Sequence, residues 1–227
     1  MPKTGPIKKL KRYTHLPALL HLLQTRQLTV LSPSTWADQN DTSYLHRYMA
    51  ARQDVKGLYV LCLTEAADTF HHWSIYAGGP SGVKIEFHPA KFQAWINTVE
   101  PRPLLKRVEY KRLDQIEEAA RNGDSLPFLK RIAFRDEDEV RLLVVDLQND
   151  SPAHYLPNFD LSAIQKISLS PWLPKALEES VRNAIVRASG ESNEKWAART
   201  VRRTSLLHNA AFVDAASQTF PLAQAKR

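Results

Sequence analysis

Two short apolar runs, Leu58–Leu63 and Gly82–Phe87, constrain this chain more than any other feature of its sequence. Each is too short for a helix and is bounded by turn-forming residues, so each reads as a buried strand. The segment between them carries Trp73, Ser74 and Tyr76 just ahead of Gly78 and Gly79. Aromatic side chains beside a flexible turn can line a pocket, and they can equally close the edge of a core.

A second stretch, Phe134 to Val145, has charges entering a strand-like run at alternating positions. Read as one strand, it puts Glu137, Glu139 and Arg141 on one face and Asp136, Asp138, Val140 and Leu142 on the other. Two readings follow. One is a solvated edge strand carrying an ion pair of small energetic value. The other is a carboxylate pair, steadied by Arg141, that faces a pocket lined by Trp73 and Tyr76.

The 227 residues, 43% of them apolar, are enough for one good core, so a single domain is expected. A formal charge of +7 favours anionic partners such as nucleic acid, dinucleotides or phosphates, and serves ordinary solubility equally well. One cysteine, Cys62, excludes a disulfide framework and a multi-cysteine zinc site and fits a reducing cytoplasm. Inside an apolar run, it reads as a small buried hydrophobe. No apolar run is long enough for a membrane span, and the basic N-terminal segment leads into no secretory h-region, so the chain reads as neither secreted nor membrane-spanning.

Along the chain, strands are expected at Ile7–Tyr13, Leu28–Leu31, Arg107–Tyr110, Glu137–Asp146 and Ile164–Leu169, besides the two buried runs. Helices are expected at Leu16–Gln24, Thr42–Arg52, His88–Ile96, Leu113–Asn122 and Lys175–Ala188, with a helix or turn at Thr69–Tyr76 and a helix start or end at Pro127–Ile132. Trp36–Asp41 reads as a polar turn rich in helix caps. Asn149–Asp160 reads as a connection, the basic run in Ala198–Val213 as a surface helix or strand, and the tail after Pro221 as frayed. Strands and helices in no regular alternation indicate an α+β fold.

Phosphate-loop, dinucleotide-binding, nucleophile-elbow and zinc-protease motifs are absent. The adjacent pair His71 and His72 points in two directions on either a helix or a strand, so no metal site is expected.

The blocks C-L-T…W-S-x-Y-A…S-G-V-K-I-E-F and F-R-D-E-D-E-V-R-L-L, with L-T-V-L-S-P-S-T-W-A-D-Q-N-D before them and I-S-L-S-P after, resemble the bacterial domain of unknown function 2971 family. The resemblance runs from about Lys11 to about Ile185, leaving a C-terminal helical extension at about 190–220. One departure concerns Asp41, which is followed by Thr42 where a proline and an aromatic are expected. That family is in turn similar in layout to the ADP-ribosyltransferase superfamily, which implies a split mixed or antiparallel sheet flanked by helices.

The resemblance also implies NAD as substrate. Cleavage of its nicotinamide–ribose bond passes through an oxocarbenium-like ribose that a carboxylate stabilises. On this reading Glu139 faces the ribose, Glu137 orients or deprotonates the acceptor, and Tyr76 or Trp73, with Ser74 beside them, meets the nicotinamide. Arg12, Tyr13 and His15 supply the basic first element, of which Arg12 or His15 meets the pyrophosphate or adenosine ribose, and Arg141 orients the glutamates. The implied enzyme is an ADP-ribosyltransferase of the toxin or phage-defence kind, acting on a protein or nucleic-acid acceptor and open to control by an antitoxin or partner protein. Two other classes stay open: a non-catalytic domain binding nucleic acid or a phosphate ligand, and a nuclease using the carboxylates to hold Mg²⁺.

Overall fold

A computed structural model describes residues 5–36, 38–52, 54–148, 153–190 and 193–219. The expected connection at Asn149–Asp160 lies partly outside these residues, and the tail after Pro221 lies wholly outside them. The chain opens with β1 (Leu10–His15) and α1 (Leu16–Thr25), where Pro17 occupies the first helical turn and needs no N–H partner. Short β2 (Val30–Leu31) leads to α2 (Gln39–Ala50), which starts earlier than its sequence pattern implies because Asp38 caps the amides of Asn40 and Asp41. Next come β3 (Gly57–Thr64), α3 (Phe70–Tyr76), β4 (Gly82–Phe87), α4 (Pro89–Ile96), β5 (Leu104–Arg107), β6 (Glu109–Lys111) and α5 (Leu113–Ala120).

The expected helical segment at Pro127–Ile132 is instead a 3₁₀ turn, Gly123–Phe128, followed by β7 (Leu129–Arg131), which pairs in parallel with β6. Then β8 (Glu139–Asp146), β9 (His154–Tyr155), β10 (Ile164–Leu169), α6 (Glu178–Ser189), α7 (Glu194–Thr200), β11 (Val201–Arg203) and α8 (Ala210–Thr219) complete the chain. The C-terminal extension is therefore not purely helical, since β11 joins the main sheet alongside β10.

The fold is α+β, one domain with a mixed sheet flanked by helices, and the sheet is split. Strand β8 runs along the full length of one edge of β3, from Gly57 opposite Asp146 to Thr64 opposite Glu139. On the other edge of β3, β1 pairs only at Lys11–Thr64 and β2 only at Leu31–Val60. One ladder, β11-β10-β4-β1, thus meets the other, β5-β8-β3, at a single residue pair and diverges from it beyond that point.

Register then decides which residues share a face. Leu61, Leu63, Val140, Leu142, Val83, Ile85, Ile167 and Leu169 form the main core with Leu19, Leu22 and Leu23 of α1, Phe92 and Trp95 of α4 and Ile185 of α6. On the opposite face Leu58, Val60 and Leu143 make a smaller core with Leu45 and Tyr48 of α2 and Phe128. The rest of that face carries Lys11, Tyr13, Cys62, Thr64, Glu139 and Arg141, side chains too polar for a helix to bury without partners.

Gly78 joins α3 to β4 in the left-handed region at φ 69°, and a Cβ there would stand 2.5 Å from the His15 ring. Gly78→Ala is therefore expected to lower stability by about 1–3 kcal/mol through strain and the displaced imidazole, read as a drop in the denaturation midpoint. An unchanged midpoint would show that this junction is free to relax.

A charged cleft at the split of the sheet

Glu139 is the first residue of β8 and Arg141 lies two residues on, so both side chains leave the same face. Strand β8 lies between β3 and β5, so it is not an edge strand, and Arg141 has no solvent exposure at all. Its guanidinium donates from Nε and Nη2 to the two oxygens of Glu139 at 2.8 and 3.0 Å. From Nη1 and Nη2 it reaches both oxygens of Asp41 at 3.0 and 2.8 Å, and Nη1 also donates to the Pro127 carbonyl at 2.6 Å. The Trp36 ring lies 5.5 Å from the guanidinium carbon. Burial alone would push the Glu139 carboxyl upward, but Arg141, Lys130 and the Cys62 thiol hold it down at about 2.

Phe134 to Val145 is not one strand. Ile132–Glu137 forms a 3₁₀ turn, closed by the Asp138 amide donating to the Arg135 carbonyl at 3.2 Å, and Asp138 turns left-handed at φ 46°. That residue redirects the chain before pairing with β3 begins, so Glu137 and Glu139 do not share a strand face. They still converge, because Lys130 of β7 sits between them. Its ammonium is 2.6 Å from Glu137 Oε2, 3.4 Å from Glu139 Oε2 and 3.6 Å from Asp41 Oδ2, and it lies over the Phe134 ring. Burial would lower the Lys130 pKa, but these three carboxylates raise it, so it stays charged.

Glu137 is the more open of the two glutamates. Its side chain is 14% exposed against 4% for Glu139, and its other oxygen accepts a 2.6 Å bond from the Tyr76 hydroxyl. Its carbonyl accepts from Thr64 Oγ1 at 2.6 Å and lies 3.3 Å from His72 Nε2, which fixes the turn against β3 and α3.

These groups line a cleft of about 490 Å³ whose walls add Tyr13, Trp36, Ile75 and Phe134. Cys62 is on its floor, reachable from the mouth yet crowded by protein, and is not the buried hydrophobe its run suggests. Alternation in β3 places it on the polar face where the sheet splits, opposite Arg141. Burial and then the Glu139 charge push the thiol well up, so it is not a ready nucleophile.

Of the residues expected at the site, Glu137, Glu139, Tyr13 and Tyr76 line the cleft, and Arg141 lies behind its floor. The others are elsewhere. Arg12 lies opposite Ile85 on the core-facing side of β1, away from Tyr13, where burial lowers its pKa to about 10. His15 packs against Gly78. Ser74 donates back to the Phe70 carbonyl at 2.9 Å within α3. Trp73 is wholly buried, edge-on to Tyr13 at 5.3 Å, and donates to Asp68 at 2.8 Å, so it supports the wall and cannot stack on a ligand.

Sequence reasoning missed Asp41, Lys130, Lys11 and His72 as members of the cleft. Asp41 had a signal, an acidic residue in the first turn of a capped helix, but nothing local connects it to Arg141, 100 residues away.

Among the described residues no helix is long and apolar enough to cross a membrane, and no group of three or more His, Cys, Asp or Glu side chains is arranged to hold a metal ion. No family model matches the sequence, and no curated protein matches it. Among solved structures, a DarT from Thermus sp. 2.9 in complex with NAD+ is similar, at 12% identity over 83% of this chain and 93% of that chain, with a TM-score of 0.40. A likeness at that level bears no weight on what the cleft does.

Proposed function

We propose that this protein is an NAD-cleaving enzyme of the ADP-ribosyltransferase kind, belongs to the domain of unknown function 2971 family, and modifies a protein or nucleic-acid acceptor. One observation carries the reading. In a chain of net charge +7, the cleft gathers four carboxylates, Asp38, Asp41, Glu137 and Glu139, against three cations, Lys11, Lys130 and Arg141. The surplus is negative and held in place by ion pairs and hydrogen bonds, which suits a reacting centre that becomes positive and disfavours an anionic one. The split of the sheet and the sequence resemblance support the same class.

In this mechanism the C1′–nitrogen bond of the nicotinamide riboside breaks, and its electron pair leaves with the nicotinamide. Glu139, locked by Arg141, presents a fixed negative charge toward the ribose carbon. Glu137, the more open carboxylate, takes the proton of the acceptor as its nucleophile bonds to C1′, with Tyr76 and Lys130 orienting it. Tyr76 is itself held protonated, through burial and its bond to Glu137, and so acts as a donor.

Purified protein is expected to release nicotinamide from labelled NAD, with lysate present to supply the acceptor. A folded protein that neither binds NAD nor releases nicotinamide would overturn the reading. A non-catalytic binder with structural glutamates would then be the better description.

A further inference from the structure

A second groove of about 470 Å³ opens on the same face of the sheet and meets the cleft at Lys11. Register builds its floor. Lys11 of β1 stands opposite Glu86 of β4, which stands opposite Lys166 of β10, and Lys84 lies two residues before Glu86 on the same face. Lys8 and Lys9 form its rim just ahead of β1.

That rim is anchored. The Lys8 amide donates to Glu65 Oε1 at 2.9 Å, and Arg107 grips the other Glu65 oxygen at 2.6 Å while donating to the Gly5 and Pro6 carbonyls at 2.7 and 3.0 Å. Five lysines thus face two carboxylates, Asp68 and Glu86, and both of these are taken by Lys84 at 3.0 and 3.1 Å. Among the described residues no carboxylate pairs with Lys8 or Lys9, and Lys166 comes no nearer than 3.9 Å to Glu86.

We propose that this groove is a phosphate-binding site, taking either the diphosphate of a dinucleotide or the phosphodiesters of a nucleic-acid strand. The groove stands on its own residues, and only the diphosphate source rests on the NAD reading. The electrostatics agree: burial and then Lys84 lower the Lys11 pKa, with Lys9 adding to them, and the opposing pull of Glu86 and Asp68 does not restore it. A bound phosphate supplies that charge, and ammonium groups on anchored backbone hold it without large reorganisation.

The test uses inorganic pyrophosphate and a Lys9→Glu, Lys166→Glu double variant, whose changes fall on solvent-facing side chains outside the cleft. Calorimetry should show pyrophosphate binding to the native protein and about a tenfold or greater loss in the variant, with both circular dichroism spectra alike. No binding by the native protein, or equal binding by a folded variant, overturns the proposal.

Two further arms identify the source. A raised KM for NAD at unchanged kcat assigns the groove to the dinucleotide. An unchanged KM, with weaker and less salt-dependent binding of a single-stranded oligonucleotide, assigns it to nucleic acid. Pyrophosphate binding requires no NAD cleavage, so failure of the enzymatic reading leaves this result standing.

Discussion

Replacing Arg141 with methionine is expected to remove about 3–5 kcal/mol of stability, a large part of what a domain of this size possesses. The guanidinium fills all four carboxylate oxygens of Glu139 and Asp41 while buried itself. Without it, two buried carboxylates share one cation, Lys130, at 3.4 and 3.6 Å. Methionine replaces the volume and not the charge, so the loss measures uncompensated charge more than a cavity. Denaturant unfolding reads it directly, and a change below about 1 kcal/mol would mean that the cluster is hydrated in solution.

The pH dependence gives an independent check. The folded pKa of Glu139, about 2, lies below its ordinary 4.5, so its ionised form favours the native state. That contribution is complete above pH 4.5 and is lost as the pH falls toward 2, on the order of 3 kcal/mol over the window. In Arg141→Met the depression is relieved, and this acid limb of the stability curve should flatten.

The legible parts of this fold are those set by local pattern. Gly82–Phe87 and Ile164–Leu169 are strands over the ranges their apolar runs imply, and Leu58–Leu63 extends by one residue at each end. Pro17 marks the start of α1 by chemistry that acts within a single turn, whereas α2 begins at Gln39, inside the stretch that reads as a polar turn. What escaped was set by contacts distant in sequence. The alternation from Phe134 onward suggested one strand because a period of two cannot show that Asp138 turns left-handed, and aspartate is among the few side chains that tolerate it.

Trp73 and Tyr76 look alike in the sequence. They differ because Trp73 meets Asp68 inside the domain, whereas Tyr76, one helical turn on, meets Glu137 at the cleft. Cys62 departs from its local pattern for a related reason. Its strand is interior to the sheet, but the divergence of β1 from β3 opens the one row it occupies. Within the Arg12–His15 element, alternation in β1 keeps Tyr13 at the cleft and sends Arg12 to the other face.

The two glutamates should separate when each is changed to glutamine. Glu137 is tied to the fold by Tyr76 and Lys130 at the cleft surface, and an amide can keep the Tyr76 bond. Glu137→Gln should therefore unfold within about 1 kcal/mol of the native protein, while transfer from NAD falls by about 10²–10⁴ through lost proton acceptance. The loss should appear in kcat, with KM for NAD moving little, since in the proposed mechanism the carboxylate acts on the acceptor and not on the bound dinucleotide.

Glu139→Gln should do more. It removes a buried charge that Arg141 holds by both oxygens, leaving the guanidinium paired with Asp41 alone, at a cost of about 3 kcal/mol in stability. It also removes the fixed negative charge that the proposed mechanism sets toward the ribose. Unfolding midpoints and NAD kinetics on the two variants, at a temperature where both are folded, distinguish the roles. Native-like transfer by Glu137→Gln would show that the acceptor's proton leaves by another route. A stable but inactive Glu139→Gln would mean that its carboxylate serves the chemistry and not the fold, and that Arg141 orients it for that purpose.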